Sequence, residues 1–129
     1  MHDKRILLID DDEDDQEIFL SALSEVSPTI ACTTMSSASC ALRQLKEGHL
    51  SPDVIFLDLN MPVMNGQQFL LEIKKDTALH NIPIIIFSTT SHQPTIQLTK
   101  DLGARDFITK PEKFDDLVSI LTLFMDRMR

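Results

Sequence analysis

The chain has 129 residues, 43% hydrophobic and 25% charged, which suits one soluble globular domain whose core needs no disulfide or metal staple. No apolar run approaches the roughly 20 residues of a membrane span, and no long apolar stretch follows Met1-His2-Asp3-Lys4-Arg5 to make a secretory signal, so a cytoplasmic protein is expected. A net charge of −8 argues against nucleic acid and anionic membrane surfaces as partners, because both draw on Lys and Arg.

Arg5 to Asp10 reads as strand 1, with Ile6 to Ile9 a continuous apolar run. An acidic run follows, Asp10 to Asp15. Ile18, Phe19, Ala22, Leu23 and Val26 fall at helical spacing, so helix 1 starts just before them. Asp12 is its N-cap, and Glu13, Asp14 and Asp15 suit a first turn, where the helix dipole favours negative charge. Asp10 and Asp11 lie at the strand end, before the helix can help them. Ser27-Pro28 ends helix 1, and Thr29 to Thr34 reads as strand 2, polar enough for a sheet edge. Ser36 or Ser37 caps helix 2, which carries Ala38, Ala41, Leu42 and Leu45 and stops at Gly48. Val54 to Leu57 reads as strand 3, buried on both faces, and it stops abruptly at Asp58. Pro62 and Asn65-Gly66 mark a turn, and Phe69, Leu70 and Ile73 line one face of helix 3. Pro83 to Phe87 is strand 4, followed by the hydroxyl run Ser88-Thr89-Thr90-Ser91. Pro94 suits the first turn of helix 4, which runs to about Leu102 and stops at Gly103. Asp106 to Thr109 is strand 5, ending at Lys110-Pro111, and helix 5 runs from about Phe114.

Five β-α repeats with short connections call for a parallel sheet with helices on both faces and right-handed crossovers. Strands 1, 3 and 4 are the most apolar and belong in the middle. The expectation is a flavodoxin-like (βα)5 fold over residues 1–129, in the order 2-1-3-4-5. Ligands in such sheets gather at the C-terminal ends of the strands. That rim collects Asp10 and Asp11 from strand 1, Asp58 from strand 3, Ser88 from strand 4 and Lys110 from strand 5. Taken alone, Asp58 could simply cap the following helix; four strand ends each delivering a polar group to one rim argue for chemistry.

Carboxylates in one cleft repel: two unit charges about 4 Å apart cost about 4 kcal/mol at an effective dielectric near 20. Either one takes a proton or a cation sits among them. Oxygen-only donors favour a hard ion, most simply Mg²⁺ with several waters retained. Lys110 adds a compact positive charge and Ser88 a hydroxyl. Around one carboxylate these make a receptacle for a phosphoryl group, with the carboxylate as nucleophile. Lys110 also reads as a resting salt-bridge partner of Asp58.

These pieces resemble the receiver domain of two-component response regulators, CheY-like single-domain members in particular. The resemblance rests on Ile9-Asp10-Asp11, Asp58-Leu59-Asn60-Met61-Pro62, Asn65-Gly66, Ser88-Thr89, Gly103-Ala104, Phe107 and Lys110-Pro111, and spans nearly the whole chain. It implies a phosphorelay protein that signals rather than turning over a separate substrate. Asp58 would accept phosphate from a histidine kinase or a histidine phosphotransfer protein. Mg²⁺ would bind through Asp11, Asp58 and the backbone carbonyl of Asn60, with Asp10 assisting through water. Ser88 and Lys110 would contact the phosphoryl oxygens, and Asn60 and Thr90 would tune hydrolysis. The resemblance also implies a cis bond before Pro111, against a background of about 5%. Signalling would run through Ser88 and Phe107 to the face of helix 4, strand 5 and helix 5. Phe107 stands where Tyr is commoner, and a plain core aromatic is the other reading.

A Mg²⁺-dependent phosphatase of the haloacid dehalogenase type is the alternative. There the nucleophile strand comes first and a second Asp lies two residues on; here the acidic pair comes first and that position is Asn60. A flavin phosphate after strand 1 would be repelled by the acidic run. No output domain follows helix 5, so a stand-alone receiver docking on a partner protein is expected. On helix 5, Leu117, Val118, Leu121, Phe124, Met125 and Met128 make a core stripe; Ile120 and Leu123 widen it, which suggests a dimer or partner surface through helix 4, strand 5 and helix 5. Cys32 and Cys40 read as reduced core thiols, and His2, His49, His80 and His92 as solvated.

Overall fold

A computed structural model describes residues 4–128. Its elements run β1 Arg5–Ile9, α1 Glu13–Val26, β2 Ala31–Met35, α2 Ala38–Lys46, β3 Val54–Leu57, α3 Gly66–Lys75, β4 Ile84–Ser88, α4 Gln93–Asp101, β5 Asp106–Thr109 and α5 Phe114–Met128. The five strands are parallel, in the order β2-β1-β3-β4-β5. The flavodoxin-like expectation holds.

Side chains alternate across each strand, so each one feeds two cores. Leu7, Ile9, Ile55, Leu57, Ile84 and Ile86 meet α2 and α3 on one face. Ile6, Leu8, Val54, Phe56, Ile85 and Phe87 meet α1 and α5 on the other. There Phe19, Phe56 and Phe87 pack edge to face, with centroids 5.0 to 6.3 Å apart. The same alternation carried one step past β1, β3 and β5 aims Asp10, Asp58 and Lys110 toward the α1 side. One residue behaves otherwise than its spacing suggests: Ile18, counted on the apolar face of helix 1, is 47% exposed. Met128's side chain and His2 fall outside the described residues.

Two strand boundaries shift. The second strand is Ala31–Met35 rather than Thr29 to Thr34, because Arg5 pairs with Ala31 and the Asp10 N–H reaches the Met35 carbonyl. The fourth runs Ile84–Ser88: Pro83 has no N–H for the ladder, while Ser88 pairs with Thr109. The bond before Pro111 is trans, the form an X–Pro bond favours by about 0.5–1 kcal/mol. Asp12 and Ser37 cap α1 and α2 as expected. His49, His80 and His92 are exposed. Both cysteines are free and half-buried, and burial pushes the Cys32 thiol up to about 12.

Candidate functional site

The strand ends are pinned by backbone bonds. The Asp58 N–H donates to the Ile9 carbonyl at 2.9 Å, and the Lys110 N–H to the Ser88 carbonyl at 2.7 Å. Asp10, Asp11, Asp58, Ser88 and Lys110 therefore do share one rim. Asp10 and Ser88 are fully buried, Asp58 is 6% exposed, and Asp11 faces solvent. Among the described residues, Asp10, Asp11 and Asp58 each offer a carboxylate oxygen within 4.8 Å of the others.

The loop after β3 is held from beneath by a glycine. A Cβ on Gly66 would stand 2.5 Å from the Asp58 carbonyl oxygen and 2.8 Å from the Leu59 Cα. Asn65 and Gln68 form a capping box around the start of α3. The sequence marked a turn at Asn65-Gly66; the structure adds that Gly66 is needed for close approach to the loop that carries Asp58.

Electrostatically the cleft is under-neutralised. Burial pushes the Asp58 carboxyl up to about 6; Lys110 and the Asn60 N–H pull it down, and Asp10 and Asp11 push it further up. Asp10 is also raised, again chiefly by burial and against its bond to Lys110. A hard divalent cation relieves this kind of strain, and an all-oxygen donor set fits one. Asn60 is exposed beside Asp58, leaving its carbonyl within the same loop.

Lys110 pairs with Asp58 as expected, but more loosely than with two other carboxylates. Its ammonium donates to Asp10 Oδ2 and to Asp15 Oδ2, each at 2.8 Å, while Asp58 Oδ1 lies 3.9 Å away. The resting partner is thus not chiefly Asp58. Asp10 lies deeper on the same face, and Asp15 reaches over from α1. Burial alone would lower the Lys110 pKa, but its bonds to Asp10 and Asp15 hold it above the ordinary value. The ammonium also sits 5.5 Å from the centre of the Phe87 ring.

Sequence reasoning gave Asp15 only a helix-dipole role and gave Gln16 none. Gln16 donates its side-chain amide to the Asp10 carbonyl and to Ser36 Oγ, tying α1 to the loop after β2. The signal was faint: Gln16 is the first uncharged residue after the acidic run.

On the other side of the cleft, Ser88 Oγ accepts the Thr90 N–H at 3.5 Å, and Thr109 Oγ1 donates to the Thr90 carbonyl at 3.1 Å. Phe107 is half-buried and packs against the α2–α3 core. On α5, Leu123 is 61% exposed and Ile120 half-buried.

A family model described as the response regulator receiver domain matches residues 6–122. The two-component response regulator ORR8 of rice (Oryza sativa subsp. japonica) is 32% identical over 121 residues, which cover 94% of this chain and 98% of that protein. The phosphorylated cyanobacterial phytochrome response regulator RcpA superposes with a TM-score of 0.86 at 30% identity, over 97% of this chain and 93% of that one. The Mn²⁺-bound form of response regulator Rcp1 gives a TM-score of 0.82 at 25% identity, over 94% and 91%. Nothing in these comparisons supports the phosphatase alternative.

Proposed function

The chain belongs to the response regulator receiver domain family, and on that premise we propose that Asp58 accepts a phosphoryl group from a phosphohistidine donor in a Mg²⁺-dependent reaction. Receivers are signalling domains of phosphorelays, and they bind a divalent metal in an acidic pocket. The observation that carries the assignment is the buried Asp58 carboxylate, with Asp10 and Asp11 oxygens within 4.8 Å and the Lys110 ammonium at 3.9 Å.

Asp11, Asp58 and the Asn60 carbonyl would hold the ion, with Asp10 assisting through water. When bound, Mg²⁺ supplies neutralising charge for the carboxylates and the phosphoryl oxygens. Asp58, ionised at neutral pH, attacks the donor's phosphorus. An O–P bond forms, the P–N bond breaks, and the imidazole leaves with the electron pair and takes a proton from solvent. Lys110 and Ser88 stabilise the phosphoryl oxygens, one with an ammonium and one with a hydroxyl. Signalling then runs through Ser88 and Phe107 to the face of α4, β5 and α5, where Leu123 offers exposed apolar surface to a partner or a second copy. The donor is a histidine kinase or a histidine phosphotransfer protein. Residues 1–129 act as one receiver unit, and the site is cytoplasmic.

Intact-mass measurement after incubation with Mg²⁺ and a small phosphodonor tests this. One phosphoryl increment is expected in the wild-type chain, none in Asp58→Asn, and none when the metal is chelated. An increment persisting in Asp58→Asn would move the acceptor elsewhere.

A further inference from the structure

Among the described residues, Asp15 is the one carboxylate in contact with the cleft that the assignment leaves without a task. It stands in the first turn of α1, and the Asp12 side chain accepts its N–H at 3.1 Å, so the turn presenting it is capped. Its Oδ2 accepts a hydrogen bond from the Lys110 ammonium at 2.8 Å. Asp10 Oδ2 accepts another at the same distance. Asp58 Oδ1, at 3.9 Å, lies beyond hydrogen-bond reach.

We propose that Asp15 is a positioning residue: it draws Lys110 toward α1, away from the acceptor, and so lowers the cleft's affinity for a phosphoryl group. The inference rests on Asp58 being the acceptor. Two effects act in the same direction. A phosphoryl group on Asp58 competes with Asp15 for the ammonium, and the Asp15 charge repels the added phosphoryl charge. Of the two carboxylates holding Lys110, Asp15 is the one that can yield. Asp10 is fully buried and also accepts the Asp12 N–H at 3.0 Å. The Asp15 side chain is 34% exposed and can turn into water.

The test uses trifluoroberyllate, a tetrahedral mimic of a phosphoryl group on a carboxylate, titrated in the presence of Mg²⁺ and followed by ¹⁹F NMR. Asp15→Asn and Asp15→Ser should bind it about three- to tenfold more tightly than wild type, the range of a half-exposed ion pair with its solvent screening. Asp15→Glu should keep the wild-type affinity. Asp14→Asn removes the same charge from an exposed neighbour in the same turn and should stay within about twofold. A residue that merely held the fold would give looser binding, not tighter. Thermal melts show which variants fold, and the serine variant decides if the asparagine one does not. A wild-type chain that binds, with Asp15 variants no tighter than Asp14→Asn, would overturn the inference alone. A wild-type chain that does not bind would overturn the acceptor assignment and this inference with it.

Discussion

Helices α3 and α4 both lead into the core on the α2 side of the sheet, α3 through Phe69, Leu70 and Ile73 and α4 through Leu102 at its end, yet they are fastened by different means. α3 opens with the Asn65–Gln68 capping box, rests Gly66 against the Asp58 carbonyl, and buries Phe69, Leu70 and Ile73 completely. α4 opens at His92, which makes no side-chain cap bond, and its one buried residue is Thr99, whose hydroxyl turns back to the Ile96 carbonyl of its own helix. Leu98 on the same helix is 42% exposed. The neighbouring strands follow suit: β3 is buried throughout, whereas β5 is half-buried and ends exposed. Elements with few buried apolar contacts open at low free energy. On the function proposed above, Asp58 needs its neighbouring carboxylates at fixed distances and a signalling face needs an element that can shift; the two requirements fall on successive helices.

The sharpest way to break that contrast is to substitute the two glycines. Gly66→Ala puts a methyl group against backbone atoms that have no free space, and should destabilise by about 3 kcal/mol. At the end of α4, Gly103 has φ +109°, and its nearest neighbour is the flexible Lys74 side chain. Gly103→Ala should cost about 1–2 kcal/mol, chiefly for backbone strain. Denaturant midpoints measure both. Equal losses would mean that the two helices are clamped alike.

The next effect comes from charge. The folded Asp58 pKa is raised to about 6 from 3.8, chiefly by burial, so the folded chain holds that proton more tightly than the unfolded one. Below about pH 4 both states are protonated and the term vanishes. As pH rises toward about 6 the unfolded chain ionises first, and stability falls. Above that the penalty is complete, at about 2–3 kcal/mol. In metal-free buffer at about pH 8, Asp58→Asn should therefore be more stable than wild type by that amount, and the gain should fade as the buffer is acidified. Added Mg²⁺ should stabilise wild type at neutral pH and leave Asp58→Asn nearly unmoved. A pH-independent difference would show that the burial of Asp58 is not what strains the site.

Most of the rigid half was legible in the sequence. Continuous apolar runs in β1, β3 and β4 give the sheet's centre, and the abrupt ends at Asp10, Asp58 and Ser88 give the rim. The partner of Lys110 was not legible. Asp15 lies 95 residues away in the chain, and its place in a helix's first turn already gave it a sufficient reason to be acidic. Nor was the role of Gly66, because a turn signal at Asn65-Gly66 says nothing about which backbone the glycine will meet. Ile18 misled for a related reason: helical spacing identifies an apolar stripe, and only tertiary packing decides which edge of the stripe is covered.

A smaller prediction concerns the loop that carries Asp58. Val63 has φ +69° and is 94% exposed, a poor conformation for a β-branched residue with no burial to offset it. Val63→Asn should raise stability by about 1 kcal/mol, read from the thermal midpoint. A loss instead would show that the valine methyls make contacts the exposed geometry does not reveal.

The smallest expected effects are at the helix caps, and they bear most directly on the contrast. Asn65→Ala removes the half of the capping box in which Asn65 Oδ1 accepts the Gln68 N–H, and should cost about 1 kcal/mol. His92 already has the extended backbone of an N-cap, at φ −69° and ψ 111°, and the first turn of α4 carries no acid. His92→Asp would supply both a cap acceptor and a favourable charge, adding about 0.5–1 kcal/mol. If α4 opens locally, its amides should exchange at lower free energy than those of α3, and the gain should slow exchange within Gln93–Asp101. If α4 opens only when the whole domain unfolds, the most protected amides of the two helices would exchange at the same free energy, and α4 would lose its claim to be the looser element.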